Sequence, residues 1–235
     1  MRNEIEKIFN ESSINLSSDQ IDKFMLFEEL IIQWNQKINI TAITESYEIY
    51  LKHFLDSVII SKYFDFGVNK MIDVGTGGGF PGIPLKIMYE ELEITLLDSL
   101  NKRIIFLQDV VNKLKLKNTN LLHGRAEDYG VEQNHREKYD ISISRAVAPL
   151  NILSEYCIPF VKKGGVFISL KSGNIEEELK ESGKAIETLG GKIMDFKKYY
   201  LPNTDISRSI IIIGKIENTS DKYPRKAGKP SKKPL

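Results

Sequence analysis

The first seventy residues have apolar side chains at helical spacing only. One stripe predicts a helix: Ile21, Phe24, Leu30, Ile31 and Trp34. The preceding Ser17-Ser18-Asp19-Gln20 has the form of a capping box and indicates where this helix begins. A second stripe predicts another helix: Leu51, Phe54, Leu55, Val58 and Ile59. Lys52, His53 and Asp56 lie to one side of that stripe or beyond it. We therefore expect an N-terminal helical cap over residues 1–66.

From Lys70 onwards, short apolar runs alternate with helical stretches. Strands are predicted at 71–74, 94–97, 120–122, 141–144, 166–170 and 209–213. Such alternation is typical of an α/β fold, with a mostly parallel sheet and helices on both faces, and we assign it to residues 67–216. Residues 192–200 are a candidate further strand. If they pair with 210–213, the sheet ends in an antiparallel hairpin.

The composition fits one catalytic domain. With 235 residues and 41% hydrophobic content, the chain can bury a single large core. The net charge is only +1, so any contact with nucleic acid must use a local basic surface. Cys157 is the only cysteine, which excludes an internal disulfide, and we expect it to be buried. No apolar run is long enough for a signal peptide or a membrane span. We expect a cytoplasmic protein with no membrane partner, and a monomer is favoured.

The strongest chemical signal is a glycine cluster between a strand and a helix, Gly75-Thr76-Gly77-Gly78-Gly79-Phe80. Glycines let the backbone approach a ligand closely, and the following helix offers free N–H groups, as in nucleotide-type cofactor sites. The segment from Gly77 also satisfies G-x-G-x-x-G, with Asp98 further on. The loop alone therefore leaves three interpretations open: a methyltransferase, a dehydrogenase and a structural turn.

Three further features favour S-adenosylmethionine as the cofactor. Asp73, just before the first glycine, can fix the loop and take the cationic amino group of the methionine part. Asp98 ends the second strand, where a carboxylate accepts both ribose hydroxyls. The alternative role for Asp98 is a cap on the helix that begins near Asn101. Ala126-Glu127 follows the third strand, where a loop can cover the adenine ring and read its edge.

Arg145 follows the fourth strand, at the edge where open α/β sheets bind ligands. We assign it a positioning role on the cofactor carboxylate or an RNA phosphate. The alternative is a structural ion pair with Asp73 or Glu127. Lys171, after the fifth strand, is the first choice for an RNA phosphate contact, against simple solvation.

The three histidines, His53, His123 and His135, lie on different elements, so no metal site is expected. His53 is kept as a candidate RNA contact, against a capped surface histidine. No Ser-His-Asp or Cys-His arrangement is visible, and no general base is expected.

Residues 217–235 are predicted to be a basic tail. From Lys215 to the end, seven Lys/Arg stand against two acidic residues, with three prolines. This stretch has too few apolar residues to form a helix or strand of its own, so it is either a solvated end or an RNA-contacting tail. Either interpretation predicts that its removal leaves cofactor binding intact. Candidate RNA contacts over the chain are Lys52, His53, Arg103, Lys171, Lys222, Arg225 and Lys226.

Several motifs in one order resemble the ribosomal RNA small-subunit methyltransferase G family, once called glucose-inhibited division protein B. They are Trp34-Asn35-Gln36-Lys37-Ile38-Asn39-Ile40-Thr41, Lys52-His53-Phe54-Leu55-Asp56-Ser57, the glycine loop from Asp73 to Gly82, Leu97-Asp98-Ser99-Leu100-Asn101-Lys102-Arg103 and Ser144-Arg145-Ala146. The resemblance covers nearly the whole chain, and the Tyr-Pro-Arg-Lys ending also occurs in some members.

The resemblance implies a class I methyltransferase fold with an N-terminal helical cap. It implies methylation of N7 of a guanine in bacterial 16S rRNA, guanine 527 in the 530 loop, on free rRNA or on an assembling small-subunit particle. The positions that match the family's cofactor contacts are Gly75, Phe80, Asp98, Ser99, Leu100, Ala126, Glu127 and Arg145, to which the loop chemistry adds Asp73 and Gly77.

Two other classes of function remain as alternatives. A nicotinamide-dependent dehydrogenase would need a proton donor at the sheet edge, and the residues after the fourth strand offer no Tyr-Lys or His pair. A non-catalytic RNA-binding or ribosome-assembly module on the same fold would use the cap and the tail without turnover. Cofactor affinity distinguishes this second alternative from an enzyme.

Overall fold

The computed structural model describes residues 2–67, 69–145 and 148–235. Within them one sheet has the strand order β3-β2-β1-β4-β5-β7-β6. The strands are β1 (Lys70–Val74), β2 (Glu93–Asp98), β3 (Thr119–His123), β4 (Tyr139–Arg145), β5 (Val161–Ser172), β6 (Gly191–Tyr200) and β7 (Ser207–Lys215). β1 to β5 pair in parallel, whereas β7 is antiparallel to both β5 and β6. The predicted mostly parallel sheet and its closing hairpin are confirmed.

Helices cover both faces of the sheet because its strands are buried on both sides. Along β1, Met71 packs into one apolar cluster and Ile72 into a second, and Ile210 and Ile211 of β7 divide in the same way. The helices that follow the first strand are α5 (Gly82–Met88), α6 (Asn101–Lys113), α7 (Ala126–Tyr129), α8 (Leu150–Cys157), α9 (Glu176–Thr188) and α10 (Lys229–Lys232). Cys157 is buried, as predicted.

The N-terminal segment is helical but more segmented than its pattern predicts. After α1 (Arg2–Glu11), α2 (Ser18–Asn35) begins with the predicted capping box, in which Ser17 and Gln20 satisfy each other's backbone N–H groups. The second predicted helix is divided into α3 (Ser46–Ile49), a π-helical turn (Tyr50–Leu55), α4 (Asp56–Val58) and a 3₁₀ turn (Ile59–Lys62). The wider π turn displaces the side chains that follow it relative to a regular helix.

The helical segment and the sheet share one hydrophobic core. Phe9, Phe24 and Phe54 belong to the same buried cluster as Ile94 and Phe106 of the α/β part. The boundary at residue 66 therefore stays a prediction about sequence pattern, since no gap in packing marks it.

The basic tail packs against the α/β part, although few of its residues are apolar. Thr219 and Pro230 are buried, and α10 forms within it, so the expectation of no helix was wrong at this point. Polar contacts with residues outside the tail, together with packing of Tyr223 and Leu235 against the second apolar cluster, hold the tail in place. No helix among the described residues has the length and apolar character needed to cross a membrane.

Candidate active site

A groove runs along the carboxyl edge of the parallel strands. It consists of two adjoining clefts that share Gly75, Asp98 and Ser99. The first cleft is also lined by Val74, Leu97, Gly124, Arg125, Ala126, Glu127 and Tyr156. The second is also lined by Thr76, Gly77, Gly78, Phe80, Leu100, Arg103 and Arg145. The structure therefore brings together every predicted cofactor residue except Asp73, which lies beneath the loop.

The glycine loop bends back over the end of β2. Gly75 has a φ of +72°, a conformation that favours glycine, and its N–H donates to the Leu97 carbonyl at 2.8 Å. At the start of α5, a Cβ on Gly82 would lie 2.4 Å from Leu96 Cδ2 and 2.7 Å from Asp73 Oδ2. Glycine at this position lets α5 approach the sheet closely.

Asp73 fixes the loop from below. Its Oδ2 accepts hydrogen bonds from Thr76 Oγ1 at 2.7 Å and from Gly82 N at 2.9 Å. Its side chain is fully buried, and burial raises the pKa of this carboxyl to about 7. Oδ1 is buried without a hydrogen-bond partner among the described residues. After Oδ2 has fixed the loop, the other oxygen of this buried carboxyl group thus remains an unused hydrogen-bond acceptor.

Asp98 connects the loop with the start of α6. Its Oδ2 accepts from Gly77 N at 2.8 Å and lies 3.3 Å from Arg103 Nη1, while Oδ1 accepts from Leu100 N at 2.9 Å. The alternative role of Asp98 as a helix cap is therefore partly confirmed, because its carboxylate accepts from the backbone N–H of Leu100, the residue just before α6. Ser99 remains exposed and caps nothing, since α6 has no side-chain hydrogen bond at its N-terminus.

The other end of the groove lies against α7 and α8. Ala126 and Glu127 begin α7, and the Glu127 side chain is buried although it lines the groove. Tyr156 on α8 faces the same cleft and was not predicted. From sequence alone, an aromatic residue in an apolar helix is expected to belong to the hydrophobic core. Nothing in the sequence therefore marked Tyr156 as a residue of the groove.

Arg145 stands at the junction between the groove and a separate cleft. Its guanidinium carbon lies 5.1 Å from the centre of the Phe80 ring, a cation–π arrangement. Its Nη1 lies 3.4 Å from Asp56 Oδ2 and 3.2 Å from Ser57 Oγ. An ion pair was expected with Asp73 or Glu127 as the alternative role, and the partner is instead Asp56. Ala146, quoted in the family motif, lies outside the described residues.

His53 contacts both Phe80 and Arg145 and is not a capped surface residue. Its ring stacks on Phe80 with centroids 4.5 Å apart, and its Nε2 lies 2.7 Å from Thr41 Oγ1. Burial, and then the nearby Arg145 charge, lowers the pKa of His53 to about 3. Because arginine only donates, the Arg145 contact to Nδ1 at 3.5 Å assigns the ring proton to Nε2.

The cleft on the far side of Arg145 encloses about 300 Å³. Its lining is basic and partly apolar: Ile43, Lys52, His53, Asp56, Arg145, Leu170, Lys171, Ser172, Tyr199 and Arg208. Four lining residues are cations and one is an acid, although Lys52 and Lys171 pair with Glu48 and Glu178 outside the lining. This is a local basic concavity in a chain whose net charge is only +1.

Asp56 is the centre of this second cleft and was not assigned a role from the sequence. Its carboxylate accepts from Arg208 Nε at 3.0 Å to each oxygen and from Tyr199 Oη at 3.2 Å. Arg208 could have been noticed as a charge at the start of a strongly apolar strand. Tyr199 and Asp56 are far apart in sequence, so nothing in the chain order indicates that they meet.

The predicted RNA contacts divide into two groups. Lys52, His53 and Lys171 line the basic cleft, while Arg103 lies in the cofactor groove with its Nε buried and unpartnered among the described residues. In the tail, Lys222 and Lys226 are exposed, but the Arg225 guanidinium binds Glu155. No group of His, Cys, Asp and Glu that could hold a metal occurs in the described part of the chain.

The comparison with known proteins decides among the interpretations of the glycine loop. A family model described as rRNA small subunit methyltransferase G matches residues 20–207. The chain belongs to the rRNA small subunit methyltransferase G family. This confirms the resemblance stated from the motifs, and the methyltransferase interpretation of the loop replaces the dehydrogenase.

Relatives from this family match over nearly the full chain. A ribosomal RNA small subunit methyltransferase G from Acetivibrio thermocellus is 54% identical over 222 residues, covering 94% of this chain and 91% of that protein. The protein of the same name from Clostridium botulinum is 50% identical over 234 residues, covering 99% and 98%.

Two solved structures share the fold at low sequence identity. M. jannaschii TYW2 in complex with AdoMet has a TM-score of 0.57 and 15% identity, with 77% of this chain and 80% of that one covered. The Methanococcus jannaschii fibrillarin pre-rRNA processing protein has a TM-score of 0.53 and 18% identity, with 69% and 74% covered. These likenesses confirm the class I fold expected for the methyltransferase G family.

Proposed function

We propose that the chain transfers a methyl group from S-adenosylmethionine to N7 of a guanine in 16S rRNA, guanine 527 of the 530 loop. The observation that supports this most directly is the junction at Arg145. A groove suited to a nucleoside cofactor meets a basic cleft there, and Arg145 lines both. Family membership supports the reaction class, and the guanine and its N7 come from the motif resemblance.

The residues of the groove fit S-adenosylmethionine. Asp73 does not line the groove, and its buried Oδ1 is an acceptor without a partner among the described residues beneath the loop that carries Gly75 and Gly77. Asp98 lies between the two halves of the groove, where a ribose would bridge them, and Glu127 with Tyr156 lines the end left for adenine. Arg103, with its unpartnered Nε, is a donor for the carboxylate of the methionine part, in addition to Arg145.

The second cleft suits a purine extruded from folded RNA. Tyr199, Leu170 and Ile43 offer apolar contacts, while Arg208 and Lys171 offer donors. Enzymes that modify a base take it out of its stack and hold it in such a pocket. Lys52 lines the same cleft with its side chain 27% exposed and can meet a phosphate beside the base, whereas the Lys171 side chain is 10% exposed and pairs with Glu178.

The chemistry needs positioning more than proton transfer. When bound, S-adenosylmethionine supplies an electrophilic methyl group on a sulfonium. The guanine N7 lone pair forms the new N–C bond as the S–C bond breaks, so a cationic base and a neutral thioether result and no proton has to be removed. His53 has both ring nitrogens engaged and stays neutral, which agrees with a role in placing Arg145 rather than in taking a proton.

Incubation of the purified chain with tritiated S-adenosylmethionine tests this proposal. We expect label in 16S rRNA, either free or in small-subunit particles, and none in large-subunit rRNA. Comparing free rRNA with particles identifies the preferred substrate. Tight RNA binding without label in any RNA would contradict the proposal and favour the non-catalytic RNA-binding module.

A further inference from the structure

The C-terminal tail contacts the side chains at the adenine end of the groove from behind. Gly228 N donates to Glu127 Oε1 at 2.9 Å, which joins the tail to a residue that lines the groove. Tyr156 lines the same cleft. Burial raises the pKa of the Tyr156 phenol and the nearby Glu127 charge raises it further, while a hydrogen bond with Ser231 of the tail lowers it. Glu127 is therefore hydrogen-bonded to the tail, and α8, which carries Tyr156, packs against α10 of the tail.

The tail is held in this position by a buried ion pair. Arg225 Nε lies 2.8 Å and 3.1 Å from the two Glu155 oxygens, and Arg225 N donates to Oε1 at 2.8 Å. The Glu155 side chain is 1% exposed and precedes Tyr156 on α8. Of two consecutive residues on α8, Glu155 thus binds the tail and Tyr156 lines the groove. Since a bidentate, desolvated pair fixes geometry, α8 and the tail are aligned with each other.

A second anchor lies upstream on the tail. Arg136 donates to the carbonyls of Thr219 at 2.6 Å and Tyr223 at 2.7 Å, and Glu137 accepts from Thr219 N at 2.7 Å. The basic side chains Lys222, Lys226, Lys229, Lys232 and Lys233 remain exposed. The backbone and Arg225 therefore make the docking contacts, and the lysines are not needed for them.

We propose that residues 219–233 position Glu127 and Tyr156 at the adenine end of the groove, so that the tail sets how tightly and how selectively the cofactor's base is bound. The inference rests on the proposed cofactor. It replaces the expectation that removal of the tail leaves cofactor binding intact. In this role Gly228, Arg225 and Glu155 are positioning residues, because each acts through Glu127 or Tyr156.

The test compares three proteins with the full chain. A chain ending at Lys226 keeps the Arg225–Glu155 pair but loses Gly228, Ser231 and α10. Gly228→Pro in the full chain removes the N–H that Glu127 accepts. Because proline cannot adopt the φ of +79° at this position, it also displaces the start of α10, so this end of the tail undocks without any change of charge. The control, Lys229→Gln with Lys232→Gln and Lys233→Gln, removes the same three charges as the truncation and leaves the docking contacts in place.

Calorimetry measures the binding of S-adenosylhomocysteine and of S-inosylhomocysteine, in which a carbonyl replaces the adenine amino group. We expect the truncation and Gly228→Pro to weaken S-adenosylhomocysteine about tenfold, the scale of one charge-assisted hydrogen bond, and to reduce the preference for adenine over hypoxanthine. The triple-lysine control should keep both constants and lose only part of the salt dependence of RNA binding.

Unchanged affinity and preference in both variants would overturn the inference. Equal weakening of both ligands would also overturn it, because a general loss of structure does not distinguish the two bases. If the full chain binds neither ligand, the proposed cofactor itself is wrong, which separates that failure from failure of the tail's role.

Discussion

The Arg145 guanidinium on β4 lies 3.4 Å from the Asp56 carboxylate of the N-terminal helical segment. Arg208 of β7 binds the same carboxylate from the other side. The helical segment is thus joined to the sheet by a charged contact at the point where the cofactor groove meets the basic cleft. Loss of Asp56 would leave the charges of Arg145 and Arg208 without this partner. Substitution of Asp56 therefore tests how much the contact between the helical segment and the sheet contributes to stability.

Asp56→Asn should destabilise the protein strongly. Asp56 is 4% exposed, and removing one partner of a buried ion pair costs about 3–5 kcal/mol of unfolding free energy. Urea denaturation measures the change. Asp19→Asn, which breaks an exposed pair with Lys23, is the matched control and should cost less than about 1 kcal/mol. Equal effects of the two substitutions would show that the Asp56 contact is not desolvated.

Asp98→Ala should weaken S-adenosylmethionine by roughly 1.5–3 kcal/mol, the scale of lost hydrogen bonds to a charged group. The carboxylate also holds Gly77 N and Leu100 N, so part of the loss comes from the loop. Titration calorimetry compares this variant with Asp128→Asn, an exposed acid next to Glu127 that does not line the groove. Unchanged affinity in Asp98→Ala would remove Asp98 from the cofactor site.

Gly82→Ala should lower stability by about 1–3 kcal/mol, because the new methyl group would overlap Leu96 and the Asp73 carboxylate and overpack the interface. Gly183→Ala is the control. Apart from its chain neighbours and the nearby backbone of α9, no atom of the described residues lies within 4 Å of a Cβ at Gly183, so alanine should be neutral or stabilise by about 0.5–1 kcal/mol. Thermal or urea unfolding gives both values, and a neutral Gly82→Ala would mean that α5 can move away from the sheet.

His53 should make the protein acid-sensitive. Its folded pKa of about 3 is below the ordinary value of 6.5, so the unfolded chain binds a proton between these values that the folded chain does not. The contribution to stability is therefore fully present above pH 6.5 and is lost progressively as the pH falls towards the folded pKa. His53→Phe keeps a neutral ring beside Phe80 and should show a shallower loss over this window in urea denaturation.

The same slope in wild type and His53→Phe would contradict that explanation. Asp73 works in the opposite direction, because its pKa is raised: its contribution is present below its ordinary value and is lost as pH rises through about 7. The windows of the two residues overlap, about pH 3 to 6.5 for His53 and 3.8 to 7 for Asp73, and their effects on stability have opposite signs. The comparison with His53→Phe therefore isolates the histidine.

The strands and the glycine loop could be predicted because each depends on the residues of one short segment of the sequence. Continuous apolar runs mark strands that are buried on both faces. All six strands predicted in this way are present, and so is the candidate strand over 192–200. β5 begins earlier than predicted, at Val161, which pairs with Tyr139 of β4. Residues 162–165, which have the composition of a turn, form an irregularity before the regular pairing resumes at Val166. The composition of a polar segment does not show whether an adjacent strand will keep it extended at the edge of the sheet.

The π-helical turn and the second cleft could not be predicted. Over the six residues Tyr50–Leu55, a π turn and an α-helix have nearly the same apolar spacing. The cleft joins Asp56 to Tyr199 and Arg208, and the tail joins Arg225 to Glu155, across sequence separations of 143, 152 and 70 residues. Such contacts form only when the sheet is assembled, and the pattern of a single sequence does not predict them.

The most direct measurement is the position and chemical form of the methyl group in small-subunit rRNA. After reaction with S-adenosylmethionine, borohydride reduction and aniline treatment cleave RNA at N7-methylguanine. We expect one new cleavage, at guanine 527 of the 530 loop, which at a sub-saturating concentration of S-adenosylmethionine is strongly reduced when the Asp98→Ala variant replaces the wild-type protein. Methyl label in the RNA without that cleavage, or cleavage at another nucleotide, would contradict the proposed reaction.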